Sequence, residues 1–176
     1  MAELTSAAVP PVGSDDHLCG RGTEAVLYLD LACAACAAVW PRIRELPLRL
    51  CFRHFPMASK HPRSPALHAA AEAAAQQGAF WEMVDSLYAE RGRVDDPHLW
   101  ARAERFGLDR EAFEAARRSE RVAERVQRDF RSGIRAGVAG TPAAFSGGER
   151  LSGETERALR SLFPPLTSRG TENESS

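Results

Sequence analysis

The chain has 176 residues, 44% hydrophobic and 27% charged, with a formal net charge of −1. That length suits one domain with a helical elaboration, and the apolar content builds a core without disulfide staples. Near-neutral charge argues against a nucleic-acid or membrane-surface partner, and no run of about 18 apolar residues is present to cross a bilayer.

Residues 1–14 mix Ala, Pro, Ser and Gly without periodicity and read as a flexible arm. They hold no basic and apolar leader pattern, so the expected compartment is the cytoplasm, where paired cysteines tend to be redox-active or metal-binding. Ala25-Val26-Leu27-Tyr28-Leu29 is a short apolar run of the kind found in a buried parallel strand. It leads through Asp30 into Cys33-Ala34-Ala35-Cys36, where a helix should start and run to about residue 45, kinked at Pro41. Residues 48–55 form a second strand, stopped by Pro56, with Leu48, Leu50 and Phe52 on one face.

A helical block follows. Ser64 with Pro65 is the expected N-terminus of its first helix, which Gly78 ends. Phe80, Val84, Leu87 and Tyr88 carry a second, Asp96-Pro97 opens a third, Asp109 caps a fourth, and Ser119 starts a fifth reaching about residue 136. In that fifth helix Val122, Val126 and Phe130 form an apolar stripe. Its arginines, with Glu120, Glu124 and Asp129 between them, read as a solvated face of i,i+4 pairs. Ala143-Ala144-Phe145, a Gly147-Gly148 turn and Arg150-Leu151 predict a hairpin, then a last helix spans 153–163. The outcome is an α/β domain over residues 15–163 with an all-helical insert at about 64–136, followed by a frayed tail at 164–176.

Of Cys19, Cys33, Cys36 and Cys51, only the middle two have a spacing with chemistry in it. C-x-x-C at a strand-to-helix junction puts the first sulfur among unpaired amides at the helix N-terminus, which favours a thiolate. The second sulfur sits a turn in, close enough to form a disulfide or resolve a mixed one. Cys33 is therefore the candidate nucleophile and Cys36 the resolving thiol. The alternative is half a zinc site, which would need two more ligands from Cys19, Cys51, His17 or His54, and none of these forms a recognisable second half.

Several segments in one order resemble the DsbA-like thioredoxin family, in its soluble bacterial branch. They are Asp16-His17-x-x-Gly20, the C-x-x-C, Arg53-His54-Phe55-Pro56, Gly78-Ala79-Phe80-Trp81-Glu82-Met83, and Gly137-Val138-Ala139-Gly140-Thr141-Pro142. The resemblance implies a thioredoxin-like fold and dithiol–disulfide exchange with no cofactor and no metal. It also implies a cis bond at Thr141-Pro142, a loop that lies against the cysteines and binds the substrate backbone. The implied partners are protein thiols and disulfides, or a small-molecule disulfide, plus a separate redox partner.

Two features depart from the family pattern. Most relatives carry a buried acid six residues before the first cysteine, where this chain has Leu27, and the Ala34-Ala35 dipeptide offers neither charge nor hydrogen bond. Asp30 lies nearer the helix mouth, but a carboxylate there opposes a thiolate and is not given the missing role. Leu27 keeps a rival alive: a binding or redox-sensing module with little turnover, possibly zinc-binding through the same cysteines. Cys51 reads as a core residue, Cys19 as a residue of the approach loop, and a bridge between them is open. His54 and His61 read as local hydrogen-bonding groups, with proton transfer at the site as the alternative.

Overall fold

The computed structural model describes residues 7–163, so the tail expected at 164–176 lies outside the described residues. The chain begins with β1 (His17–Gly20), β2 (Thr23–Leu29), α1 (Ala34–Arg44) and β3 (Leu48–His54). Five helices follow: α2 (Ser64–Ala75), α3 (Phe80–Ala89), α4 (Asp96–Arg105), α5 (Arg110–Arg117) and α6 (Glu120–Arg135). β4 (Ala143–Ser146), β5 (Glu149–Arg150) and α7 (Thr155–Arg160) close it. The strands form one sheet in the order β1-β3-β2-β4-β5. β2 and β3 are parallel through α1, and the outer pairings are antiparallel. This is a mixed α/β thioredoxin-like fold with the α2–α6 block inserted between β3 and β4. Among the described residues no helix is long and apolar enough to cross a membrane.

The central strands are apolar on both faces because both are covered. Leu27, Leu29, Leu50 and Phe52 face Trp40 and Ile43 of α1, Leu67 of α2, and Met83 and Leu87 of α3. On the reverse face Val26, Tyr28 and Cys51 meet Phe55, Val138 and Phe145, with Phe130 of α6 packed alongside. α6 comes so close that a Cβ on Gly133 would lie 2.7 Å from the Phe55 ring and 2.9 Å from the Tyr28 ring. The hairpin turn uses Gly147 and Gly148 at positive φ (58° and 85°), as a tight primed turn requires.

Several expectations need correction. His17–Gly20, read as an approach loop, is an edge strand antiparallel to β3, with Leu18 opposite Cys51 and Cys19 opposite Leu50. Because side chains alternate across a sheet, this register puts Cys19 and Cys51 on opposite faces, and no disulfide can join them. All four cysteines are free thiols. Residues 7–14 of the expected arm lie against α6: Val9 is buried, the Ala7 amide donates to the Arg135 carbonyl at 2.9 Å, and Arg53 reaches the Pro11 carbonyl at 3.1 Å.

The α6 surface is only partly solvated. Asp129 is buried, accepts the His54 amide at 3.1 Å and pairs with Arg125, which also lies 3.7 Å from Asp16. Ser64 does not cap α2. It is the first helical residue, and its hydroxyl turns inward to Asp30. α4 is capped by Asp95, one residue before the expected start, through a 3.2 Å bond from the His98 amide.

Candidate active site

Cys33 is the N-cap of α1, with extended backbone (φ −78°, ψ 126°), so its sulfur faces the free amides of the first turn. No acidic residue stands in that turn to oppose a negative charge. Cys33 is 9% exposed and Cys36, one turn on, is fully buried. The loop ending in Thr141-Pro142 lies against them: this peptide bond is cis, and the Cys33 thiol donates to the Thr141 carbonyl at 3.6 Å. The structure thus brings together two pairs of residues, Cys33 with Cys36 and Thr141 with Pro142, that the sequence places over 100 positions apart.

The two thiols are driven in opposite directions. A hydrogen bond from the Cys36 thiol does most to stabilise the Cys33 thiolate. The Thr141 side chain and the Cys36 and Ala35 amides add to it against burial, and Cys33 falls from 9.0 to about 5. On ionisation Cys33 gives up its bond to the Thr141 carbonyl, so the lowering comes from the donors alone. Burial, followed by the Cys33 charge and hydrogen bond, pushes Cys36 far above the ordinary thiol range. At neutral pH the pair is one thiolate and one thiol.

No acid lies beneath this pair at position 27. Leu27 is fully buried in β2 between Phe52 and Ala144. The polar group near Cys36 is instead the Tyr88 hydroxyl, buried, bonded to the Asp30 carbonyl at 3.3 Å, and held in its protonated form by burial and then by the negative charges of Asp30 and Cys33. Asp30 is an anchor. Its carboxylate accepts from the amides of Ala32 (2.9 Å) and Met57 (3.2 Å) and from the Ser64 hydroxyl. Burial would raise Asp30, but hydrogen bonds from the Ser64 hydroxyl and the Ala32 amide help keep it below the usual carboxylate range. A carboxylate already saturated with donors is a poor proton acceptor.

The other candidates have their hydrogen-bond and ion-pair partners elsewhere than the sulfurs. His54 is fully buried at the end of β3 and bonded to His68 and Glu72, in local hydrogen bonding. His61 is partly exposed, with its ring 4.0 Å from Asp30 Oδ2. Among the described residues, one set of three potential metal ligands has its atoms within 4.8 Å of one another: His17, His54 and Glu72, without either cysteine of the C-x-x-C. Sequence reasoning missed Tyr88, Ser64, Met57 and His68, each part of an ordinary helix or loop pattern until the fold delivers it to the Asp30–Cys33 loop. Beside that loop runs an apolar groove of about 580 Å³, lined by Phe55, Met57, Val126, Phe130, Ile134 and Val138. Met57 joins the groove to the site, since its sulfur receives the Thr141 hydroxyl at 3.8 Å. Ile134 is 53% exposed at the groove's edge.

Residues 52–159 match the DSBA-like thioredoxin domain family, a stretch that includes the Thr141-Pro142 loop and follows the cysteines. The fold is similar to BdbD of Bacillus subtilis, at TM-score 0.75 and 15% identity over 89% of this chain and 95% of that one. It is also similar to the thiol-disulfide exchange protein alpha-DsbA2 of Wolbachia pipientis, at TM-score 0.71 and 19% identity over 85% and 86%. In sequence the chain is 36% identical over 97% of its length to the Na(+)/H(+) antiporter NhaA of Herminiimonas arsenicoxydans, and it spans 28% of that relative. A C-x-x-C at a helix mouth, a cis-proline loop against it and a family match over most of the chain agree: this chain belongs to the DSBA-like thioredoxin domain family.

Proposed function

We propose that the chain carries out dithiol–disulfide exchange through Cys33 and Cys36, acting on an extended protein segment or a small-molecule disulfide. The observation that carries this reading is the Cys33 sulfur at the mouth of α1, facing the Thr141-Pro142 loop. The thiolate attacks one sulfur of the substrate disulfide. That S–S bond breaks, the released thiolate takes a proton from water, and a Cys33–substrate disulfide forms. Cys36 then loses its proton, attacks the Cys33 sulfur and expels the second substrate thiolate. The substrate gains two electrons, and the protein is left as the Cys33–Cys36 disulfide. With a dithiol partner the steps run backwards, and because the electrons reside in the sulfur pair no cofactor is needed.

The first step also prepares the second. Part of what holds the Cys36 proton is the negative charge on Cys33, and that charge disappears when the mixed disulfide forms. The burial cost remains, with no acid at position 27 to receive the proton, so resolution is the slow step. The groove beside Met57 supplies apolar contact for side chains of a bound segment, and the backbone of residue 141 supplies its hydrogen bonds.

The reading is tested by equilibrating the protein with glutathione mixtures, alkylating free thiols and weighing the products, with Cys33→Ser alongside. A reversible two-electron transition absent from Cys33→Ser supports it, and a pair that never closes in oxidising buffer rejects it. A second reading is favoured by Leu27 and by the likeness to part of an antiporter chain: a redox-sensing module that closes its disulfide without turning over. Closure at equilibrium without multiple turnovers on a disulfide peptide would select it.

A further inference from the structure

A line of buried polar groups runs from the backbone just before Cys33 to the edge strand. The Leu31 amide donates to His68 Nε2 at 3.1 Å, and His68 Nδ1 lies 2.6 Å from His54 Nδ1. His54 Nε2 lies 2.6 Å from Glu72 Oε1, and His17 Nε2 is 2.6 Å from the same oxygen. Both His54 and His68 are fully buried.

The protons along this line have one order. An amide can only donate, and the Leu31 amide at 3.1 Å is nearer His68 Nε2 than Asp30 Oδ1 at 3.5 Å, which assigns that nitrogen as the bare acceptor. A neutral imidazole then carries its proton on Nδ1, which faces His54 Nδ1 and makes that atom the acceptor. The His54 proton is left on Nε2, aimed at the Glu72 carboxylate. Burial holds His68 neutral down to about pH 4. Burial also opposes the Glu72 charge, but hydrogen bonds from His17 and His54 keep it ionised. One backbone amide therefore fixes the tautomers of two histidines.

We propose that His68 is a positioning residue for Cys33: an uncharged acceptor, locked in one tautomer by His54 and Glu72, that holds the Leu31 amide and so fixes the loop carrying the nucleophile. The next two amides of that loop are already served. The Asp30 carboxylate takes the Ala32 amide, and the Asp30 carbonyl takes the Cys33 amide at 3.0 Å and the Tyr88 hydroxyl. The Leu31 amide completes the set, and only His68 meets it. Because the line ends on an amide, it conducts no proton to the sulfurs. The same protons occupy the one cation-like cluster among the described residues: with His54 Nε2 protonated and Arg125 Nε 3.9 Å from Glu72 Oε1, His17, His54 and Glu72 are committed to hydrogen bonds.

The role rests on the exchange reading, and two measurements separate their failures. The ring-nitrogen NMR shifts of the reduced wild-type protein report the tautomers directly, with and without one equivalent of Zn²⁺. The order expected is Nδ1–H on His68 and Nε2–H on His54, unchanged by zinc. Equal tautomers, or zinc stripping the His54 Nε2 proton, would overturn the inference without any variant. The second measurement is the Cys33 thiolate midpoint. His68→Leu is expected to raise it by about one pH unit, the scale of one hydrogen bond. His68→Gln, whose amide oxygen can accept from Leu31, is expected to restore most of that change. If His68→Leu does not fold, a His68→Gln midpoint at the ordinary cysteine value overturns the proposal. A midpoint indifferent to His68→Leu removes the positioning role alone. A Cys33–Cys36 pair that never closes removes the exchange reading, and this role with it.

Discussion

The separation of the two thiols makes the stability of the reduced protein depend on pH in a calculable way. Cys33 titrates near 5 in the fold against 9.0 for an ordinary cysteine, so between those limits the unfolded chain binds one proton more than the folded one. Stability from this group therefore rises with pH, is complete above about 9 and is lost as pH falls through about 5. The full slope is about 1.4 kcal/mol per pH unit and is halved at pH 5, giving about 2 kcal/mol between pH 5 and 7. Urea unfolding of the reduced protein at pH 4, 5.5 and 7, beside reduced Cys33→Ser, isolates this group from the histidines and carboxylates that both proteins share. The wild type should gain on the variant by about 2 kcal/mol from pH 5 to 7 and by almost nothing below pH 5. Since only the reduced form benefits, the same trend should disappear once the pair is oxidised. Parallel curves for the two reduced proteins would refute a stabilised thiolate at Cys33.

Three further outcomes follow from particular contacts. Thr141→Val removes a hydroxyl that favours the thiolate, so an alkylation-rate profile should place the Cys33 midpoint about half to one pH unit higher. Leu27→Glu puts a carboxyl into a fully buried apolar site; it should cost about 3–5 kcal/mol where ionised yet shorten the lifetime of a Cys33–glutathione mixed disulfide. An unchanged lifetime would contradict the slow-resolution account. Gly133→Ala drives a methyl into the Phe55 and Tyr28 rings, and thermal or urea melts should register about 1–3 kcal/mol of lost stability in spite of the better helix former.

Much of this was legible because it depends on local chemistry. The β2–α1–β3 unit announces itself through apolar runs that must be buried on both faces, and the C-x-x-C falls where a helix has to begin. Turn glycines and capping residues bound the insert to within a residue or two, although Ser64 was drawn away from capping by Asp30, a partner 34 positions earlier. What could not be read depends on such distant partners. His17-Leu18-Cys19-Gly20 has little strand character of its own and becomes β1 only because β3 offers it an edge. Arg125 and Asp129 look like surface charges until Asp16 and the His54 amide are placed beside them. His68 and Glu72 sit in an alanine-rich helix with no motif, and only the crossing of α2 with the end of β3 sets them in line with His54.

A trapped mixed disulfide would show which cysteine attacks and which resolves. Reduced Cys36→Ser is mixed with a disulfide-linked peptide, quenched with acid and mapped by mass spectrometry. The account expects a peptide disulfide to accumulate on Cys33, to turn over quickly in the wild type by comparison, and to be missing from Cys33→Ser. Adducts on Cys19 in place of Cys33, or equal accumulation in wild type and Cys36→Ser, would contradict the division of roles between Cys33 and Cys36.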